Sequence, residues 1–145
     1  MAWLRIPAGY LAAVAIMAVA GVLAQTQFVL SDLKTIGADI GWDDRLFMTR
    51  ADLVGLTPTY AVFIAIGFAI AFIAAALALR LIQAPRGAVY AGAGAVCMAV
   101  MLYLMREVFF GASPIAGTRS TAGFAAQLAL GAAAGWLFAA LTARR

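Results

Sequence analysis

Four stretches of this chain carry no Asp, Glu, Lys or Arg: Ile6–Ser31, Leu53–Leu79, Gly87–Met105 and Ser120–Ala143, of 26, 27, 19 and 24 residues. At 1.5 Å per residue, about 20 helical residues cross about 30 Å of hydrocarbon, and each stretch reaches or approaches that length. Helices are the expected form, because in lipid every backbone group must be satisfied within its own segment. Barrel strands are excluded by the same runs, which are too long and too uniformly apolar to alternate over about ten residues. The sequence therefore predicts an all-α membrane protein, a four-transmembrane-helix bundle forming a single integral membrane domain over 1–145. Its spans fall at about 6–30, 57–80, 87–105 and 120–142, with one structured extracytoplasmic loop at 31–56.

Composition narrows the chemistry. Hydrophobic residues make up 66% and charged residues 11% of the chain, against roughly 45–50% and 25% in a soluble domain. With no His and with Cys97 alone, imidazole metal sites, Ser-His-Asp or Cys-His catalysis and intramolecular disulfides are all excluded. The net charge of +4 is spread as single basic residues beside apolar runs, the pattern of membrane anchoring and not of nucleic-acid binding. Lys34 is the only Lys in an Ala- and Gly-rich chain, which reads as a bacterial source and an inner-membrane location.

The first run also has the outline of a signal peptide, with Arg5 before it and Val22-Leu23-Ala24 as a small-residue cleavage site; an uncleaved first span is the reading taken. With the N-terminus inside, Arg5, Arg80, Arg86, Arg144 and Arg145 are cytoplasmic with no acid among them. Lys34, Arg45, Arg50, Arg106 and Arg119 then lie outside with all six acids. The basic residues tie at five against five; the C-terminal Arg pair and the short Arg80–Arg86 connection place both termini in the cytoplasm. Aromatic residues suggest an inner belt of Trp3, Tyr10, Tyr90, Trp136 and Phe138 and an outer belt of Phe28, Trp42, Tyr60, Tyr103, Phe109 and Phe110.

Small residues recur along each span: Ala12, Ala20 and Ala24; Ala61, Ala65 and Ala69; Gly87, Ala91, Ala95 and Ala99; Gly123, Gly131 and Gly135. Such stripes let helix backbones approach closely where lipid removes the hydrophobic drive. Gly131 and Gly135 form a GxxxG pair, expected to pack within the chain. Gln127 lies on the last stripe and should hydrogen-bond another helix or a buried carbonyl. No charge falls mid-span, and Ala61 to Ala78 has no polar side chain, which argues against a water-filled pore through one copy.

In the outer loop, Ser31-Asp-Leu-Lys34 can cap a short helix that Gly37 ends. Thr49-Arg-Ala-Asp52 has a capping-box arrangement, Thr57 and Pro58 fit N-cap and N1 of the second span, and Arg45–Met48 suits a short extended piece. Asp39, Asp43 and Asp44 read as a solvated acidic turn, lacking the alternating spacing of a calcium loop. Asp52, Arg50 and Glu107, with Arg106 and Arg119, read as salt bridges across the outer helix ends. The functional alternative is an anionic lipid phosphate gripped by Arg106 and Arg119. Ser113 to Gly117 makes a turn, and Thr118, Ser120 or Thr121 caps the fourth span. Free amides at that helix start beside Arg119 could seat an anion, making Arg119, Thr118, Ser120, Arg106 and Gln127 the ligand candidates.

Ala24-Gln-Thr-Gln-Phe28, Asp52-Leu-Val-Gly-Leu-Thr-Pro58 with Tyr60, and Pro114-Ile-Ala-Gly-Thr-Arg-Ser120 with Gly123 and Gln127 are similar to a group of small bacterial four-span membrane proteins. The resemblance implies an architecture and no reaction.

Function is read as a non-catalytic bundle, serving as accessory or scaffold or binding a lipid or other apolar ligand. It needs no cofactor or metal, and its partners are membrane lipids, another membrane protein or further copies of itself, with no nucleic acid. The alternative is an oligomeric small-solute transporter or channel with a path between copies near Gln127, Cys97 and the outer Arg residues. A lipid-headgroup enzyme using Asp52 or Glu107 as base ranks last, since no acids pair.

Overall fold

A computed structural model describes residues 4–108 and 116–143. Expectations for Trp3, Phe109, Phe110, Ser113, Pro114, Arg144 and Arg145 fall outside these residues. The described chain is all helical: α1 Arg5–Thr35, α2 Trp42–Gly55, α3 Thr57–Leu81, α4 Arg86–Val108, a 3-10 turn Ala116–Arg119, and α5 Thr121–Leu141. Four helices, α1, α3, α4 and α5, are long and apolar enough to cross a membrane. They form a ring in which α1 neighbours α3 and α5, and α4 neighbours α3 and α5.

At 31 residues, α1 is about 46 Å long at 1.5 Å per residue, more than the hydrocarbon needs. The separate short helix expected after Ser31 does not form, because nothing between Ser31 and Thr35 breaks the helix. It ends at Gly37, which takes φ +91°; the Gly37 and Ala38 amides donate to the Lys34 and Leu33 carbonyls, both at 3.1 Å, a Schellman closure. The extended piece expected at 45–48 is helical instead. Asp44 accepts from the Gly41 amide at 3.3 Å, and Asp43 and Asp44 occupy the first turn of α2, where acids favour a helix start.

Helix α2 runs back along α1, with Thr26 meeting Asp52 and Gln27 meeting Thr49. The expected Thr49 cap is therefore mid-helix, its hydroxyl donating to the Arg45 carbonyl at 2.7 Å. Leu56, not Thr57, is the N-cap of α3. Its helical backbone lets α2 turn almost directly into α3, with Leu56 N–H on the Asp52 carbonyl and Tyr60 N–H on that of Leu56. The break between them falls where Pro58 has no N–H to give, and the buried Thr57 hydroxyl finds no partner among the described residues.

The core divides by depth. At the end away from α2, Phe72 stacks on Phe138 at 4.5 Å and on Phe68 at 4.8 Å, with Tyr90 edge-on to Phe72 and Phe138 and Tyr10 edge-on to Phe72. Tyr10 donates to the Ala65 carbonyl across α1 and α3. Tyr90 and Phe138 are thus interior residues, not the lipid-facing belt that was expected, and Tyr60 is likewise buried. Ring stacking for Tyr90 and Phe138 and a hydroxyl partner for Tyr60 are found inside, as buried aromatic residues favour. Trp136 and Tyr103 remain exposed.

The glycine stripe of α5 is where expected: Gly123, Gly131 and Gly135 are buried. On α4 the buried face is Tyr90, Gly94, Met98 and Leu102, not Gly87, Ala91, Ala95 and Ala99. On α3 it is Tyr60, Ile64, Phe68 and Phe72, not Ala61, Ala65 and Ala69. On α1 Ala13, Met17, Gly21 and Gln25 are buried, while Ala12, Ala20 and Ala24 are only partly covered. Ala-rich helices offer several such stripes, and the large side chains of the partner helices decide which one faces inward.

Helices α4 and α5 touch backbone to backbone. A Cβ added at Gly135 would lie 2.0 Å from the Tyr90 carbonyl oxygen, and one at Gly94 2.1 Å from that of Gly131. Gly135→Val should therefore destabilise the fold by about 3 kcal/mol or more in reversible unfolding in detergent or bicelles. Gly92→Ala, where an added Cβ meets nothing within 4 Å, should be neutral or stabilise by about 0.5–1 kcal/mol.

Candidate functional site

Two features stand out once the helices are packed: a buried polar node near the α2 end, and an apolar groove along the outside of α3 and α4. The node is built by three helices. Gln127 sits two turns into α5 and is 1% exposed. Its Nε2 donates to the Gly21 carbonyl of α1 at 2.8 Å, and its Oε1 accepts from the Tyr60 hydroxyl of α3 at 3.0 Å. Only a glycine at 21 leaves room, since a Cβ there would lie 2.8 Å from the Tyr60 ring and 3.0 Å from Gln127 Oε1. The amide expected to bond another helix or a buried carbonyl does both.

One turn outward, the buried Thr26 hydroxyl lies 3.0 Å from the Val22 carbonyl and 2.8 Å from Asp52 Oδ2. Asp52 is thereby tied to α1. The ion pairs expected among Asp52, Arg50, Glu107, Arg106 and Arg119 do not form among the described residues. Arg50, Arg106, Glu107 and Arg119 are exposed, where water competes with an ion pair worth 0–1 kcal/mol.

The expected anion seat is partly taken up by structure. Ser120 is the N-cap of α5, its Oγ accepting from the Gly123 amide at 3.1 Å, while Thr118 is half-buried and Arg119 points into solvent. Gly117 does more than turn the chain: a Cβ there would stand 2.7 Å from the Gln25 carbonyl oxygen, so the 3-10 turn lies directly on the α1 backbone. The candidates do not converge. Arg119 and Arg106 stay on the surface, and Gln127 is closed within the bundle.

The groove has a volume of about 900 Å³. Gly67, Ala71, Ala74 and Ala78 of α3 and Gly92 and Ala93 of α4 contribute its small side chains, among larger ones such as Phe63, Val96 and Leu104. Cys97 lines it at the level of Gly67, where a Cβ would come 2.7 Å from the thiol. From Phe63 to Ala78 the lining extends about 22 Å at 1.5 Å per residue, most of the roughly 30 Å hydrocarbon depth. Sequence reading placed the small-residue stripe of α3 on a different face. The signal that could have found the groove is Gly67-Ala71-Ala74-Ala78, at i, i+4, i+7 and i+11, but only the packing shows that the stripe faces outward.

Gln127→Leu should cost about 1–2 kcal/mol by stranding the Tyr60 hydroxyl and the Gly21 carbonyl. Tyr60→Phe should cost less, and the double variant should cost less than the sum of the two, as read from a double-mutant cycle of unfolding free energies. Comparison of the chain with protein-family models, with curated proteins and with solved structures gives no match.

Proposed function

We propose that the protein is a non-catalytic membrane bundle that binds a long-chain membrane lipid in the groove between α3 and α4, in the inner membrane of a bacterium, with both termini cytoplasmic. The observation that carries this reading is the groove itself. Every residue lining it is apolar apart from the Cys97 thiol, it lies on spans apolar enough for the hydrocarbon layer, and it is long enough to hold an acyl chain along its length. In a bilayer, acyl chains are the material at hand to fill such a concavity.

Other features favour binding over transport. A solute path between copies would use Gln127, whose amide is committed on both sides to Tyr60 and Gly21. The aromatic cluster fills the opposite end of the bundle. For a headgroup enzyme, Asp52 would be the base, but its carboxylate is engaged by Thr26, and Glu107 stands exposed at the end of α4.

Gly92→Leu projects a side chain into the groove from a position where nothing lies within 4 Å, so it should leave folding intact. Phospholipid retained after gentle extraction, counted by native mass spectrometry, should fall roughly tenfold in this variant, the effect of overpacking a fitted site. Unchanged retention would sink the reading. Robust solute flux through liposomes by the wild-type protein, with no lipid retained, would favour the transporter instead.

A further inference from the structure

We infer that the groove prefers anionic phospholipid, with the lipid phosphate held at the groove mouth beside Arg80 and Arg86; this rests on the lipid-binding reading above and names the lipid class. The two mouths differ in charge. At one, the lining ends at Ala78 and Val89, and the connection between the helices carries Arg80 and Arg86 with no acid. Arg86 lies one turn before Val89, on the strip of α4 that continues through Val89 and Ala93 into the groove. At the other mouth the lining ends at Met105 and Val108, and the neighbouring charges, Arg106 and Glu107, offset each other.

The chain as a whole repeats the asymmetry. All six acids fall between Asp32 and Asp52 or at Glu107, toward the α2 end, whereas Arg5, Arg80 and Arg86 stand at the opposite end without one. Positive charge there is uncompensated by the protein. Arg86 is also held in place: Nη2 donates to Thr142 Oγ1 at 2.6 Å, and the guanidinium lies 5.3 Å from the Tyr90 ring centroid. The Arg86 guanidinium is thereby drawn toward α5, so its charge acts on the mouth at longer range, while Arg80 is exposed on the last turn of α3 and supplies the nearer donors of a planar five-donor fork. A phospholipid whose chain enters the groove from this leaflet brings its phosphate to the level of both. A zwitterionic headgroup adds a cation beside the Arg pair; an anionic one does not.

The test reconstitutes the full-length protein in bilayers of equal phosphatidylglycerol and phosphatidylcholine and counts the lipids retained on extraction by native mass spectrometry. Wild type should retain phosphatidylglycerol over phosphatidylcholine on the order of tenfold, as two basic residues near the surface allow. Arg80→Gln/Arg86→Gln should bring the two lipids near parity without lowering total retention. Arg80→Gln alone, which leaves the Arg86–Thr142 contact untouched, should weaken the preference severalfold and serves if the double variant fails to fold. Parity in wild type, or an undiminished preference in both Arg variants, overturns this inference while leaving the groove intact. Loss of preference on Arg119→Gln with none on Arg80→Gln overturns it by moving the headgroup to the other end. Gly92→Leu with unchanged retention of both lipids overturns the groove reading beneath it.

Discussion

Everything in this bundle depends on the backbone contact between α4 and α5. Among lipid tails there is no water to expel, so helices associate through close van der Waals contact and polar bonds. Gly94, Gly131 and Gly135 allow that contact by having no Cβ: the carbonyls of Gly131 and Tyr90 occupy the space where side chains would stand. With α4 and α5 joined at this distance, α1 closes on the other side of α5. Gly21 and Gly9 are buried on that face of α1, the first beside Gln127 and the second beside Thr142.

Helix α3 is held differently. It brings Ile64, Phe68 and Phe72 to the centre, and these side chains fill the bundle where glycines elsewhere let backbones meet. Its hydroxyl-bearing contacts are set at two depths, Tyr60 on Gln127 and the Ala65 carbonyl under Tyr10. Because α3 stands on side chains and not on backbone, the surface between it and α4 is concave and lined by the small residues that the core did not use. The groove follows from the same packing that closes the core.

The polar residues divide accordingly. Those near the α2 end are committed to helix ends and interhelical bonds: Ser120 caps α5, Asp44 caps α2, and Asp52 and Thr26 tie α2 to α1. At the opposite end, Thr142 receives Arg86 and donates to the Phe138 carbonyl at 2.6 Å, closing α4 on α5.

Run length and the absence of charge were enough to determine four apolar helices, the polar loop between the first two, and a buried role for Gln127, because hydrocarbon thickness and backbone satisfaction admit no other form. A hydroxyl cap on α5 from Thr118, Ser120 or Thr121, which the structure assigns to Ser120, and the Gly131–Gly135 contact were also legible, since each depends on residues close in sequence or on a residue type that permits close packing. Which stripe of α1, α3 and α4 faces inward was not legible. Ala and Gly recur on several faces, and the choice is made by where Phe68, Phe72, Tyr90 and Met98 find complementary space on other helices. The tertiary structure alone placed Tyr60 against Gln127, turned Tyr60 and Tyr90 of the expected belts into core residues, made 45–48 helical by laying α2 along α1, and left the concave face of α3 and α4 open. Those outcomes depend on contacts between residues tens of positions apart, which local composition does not encode.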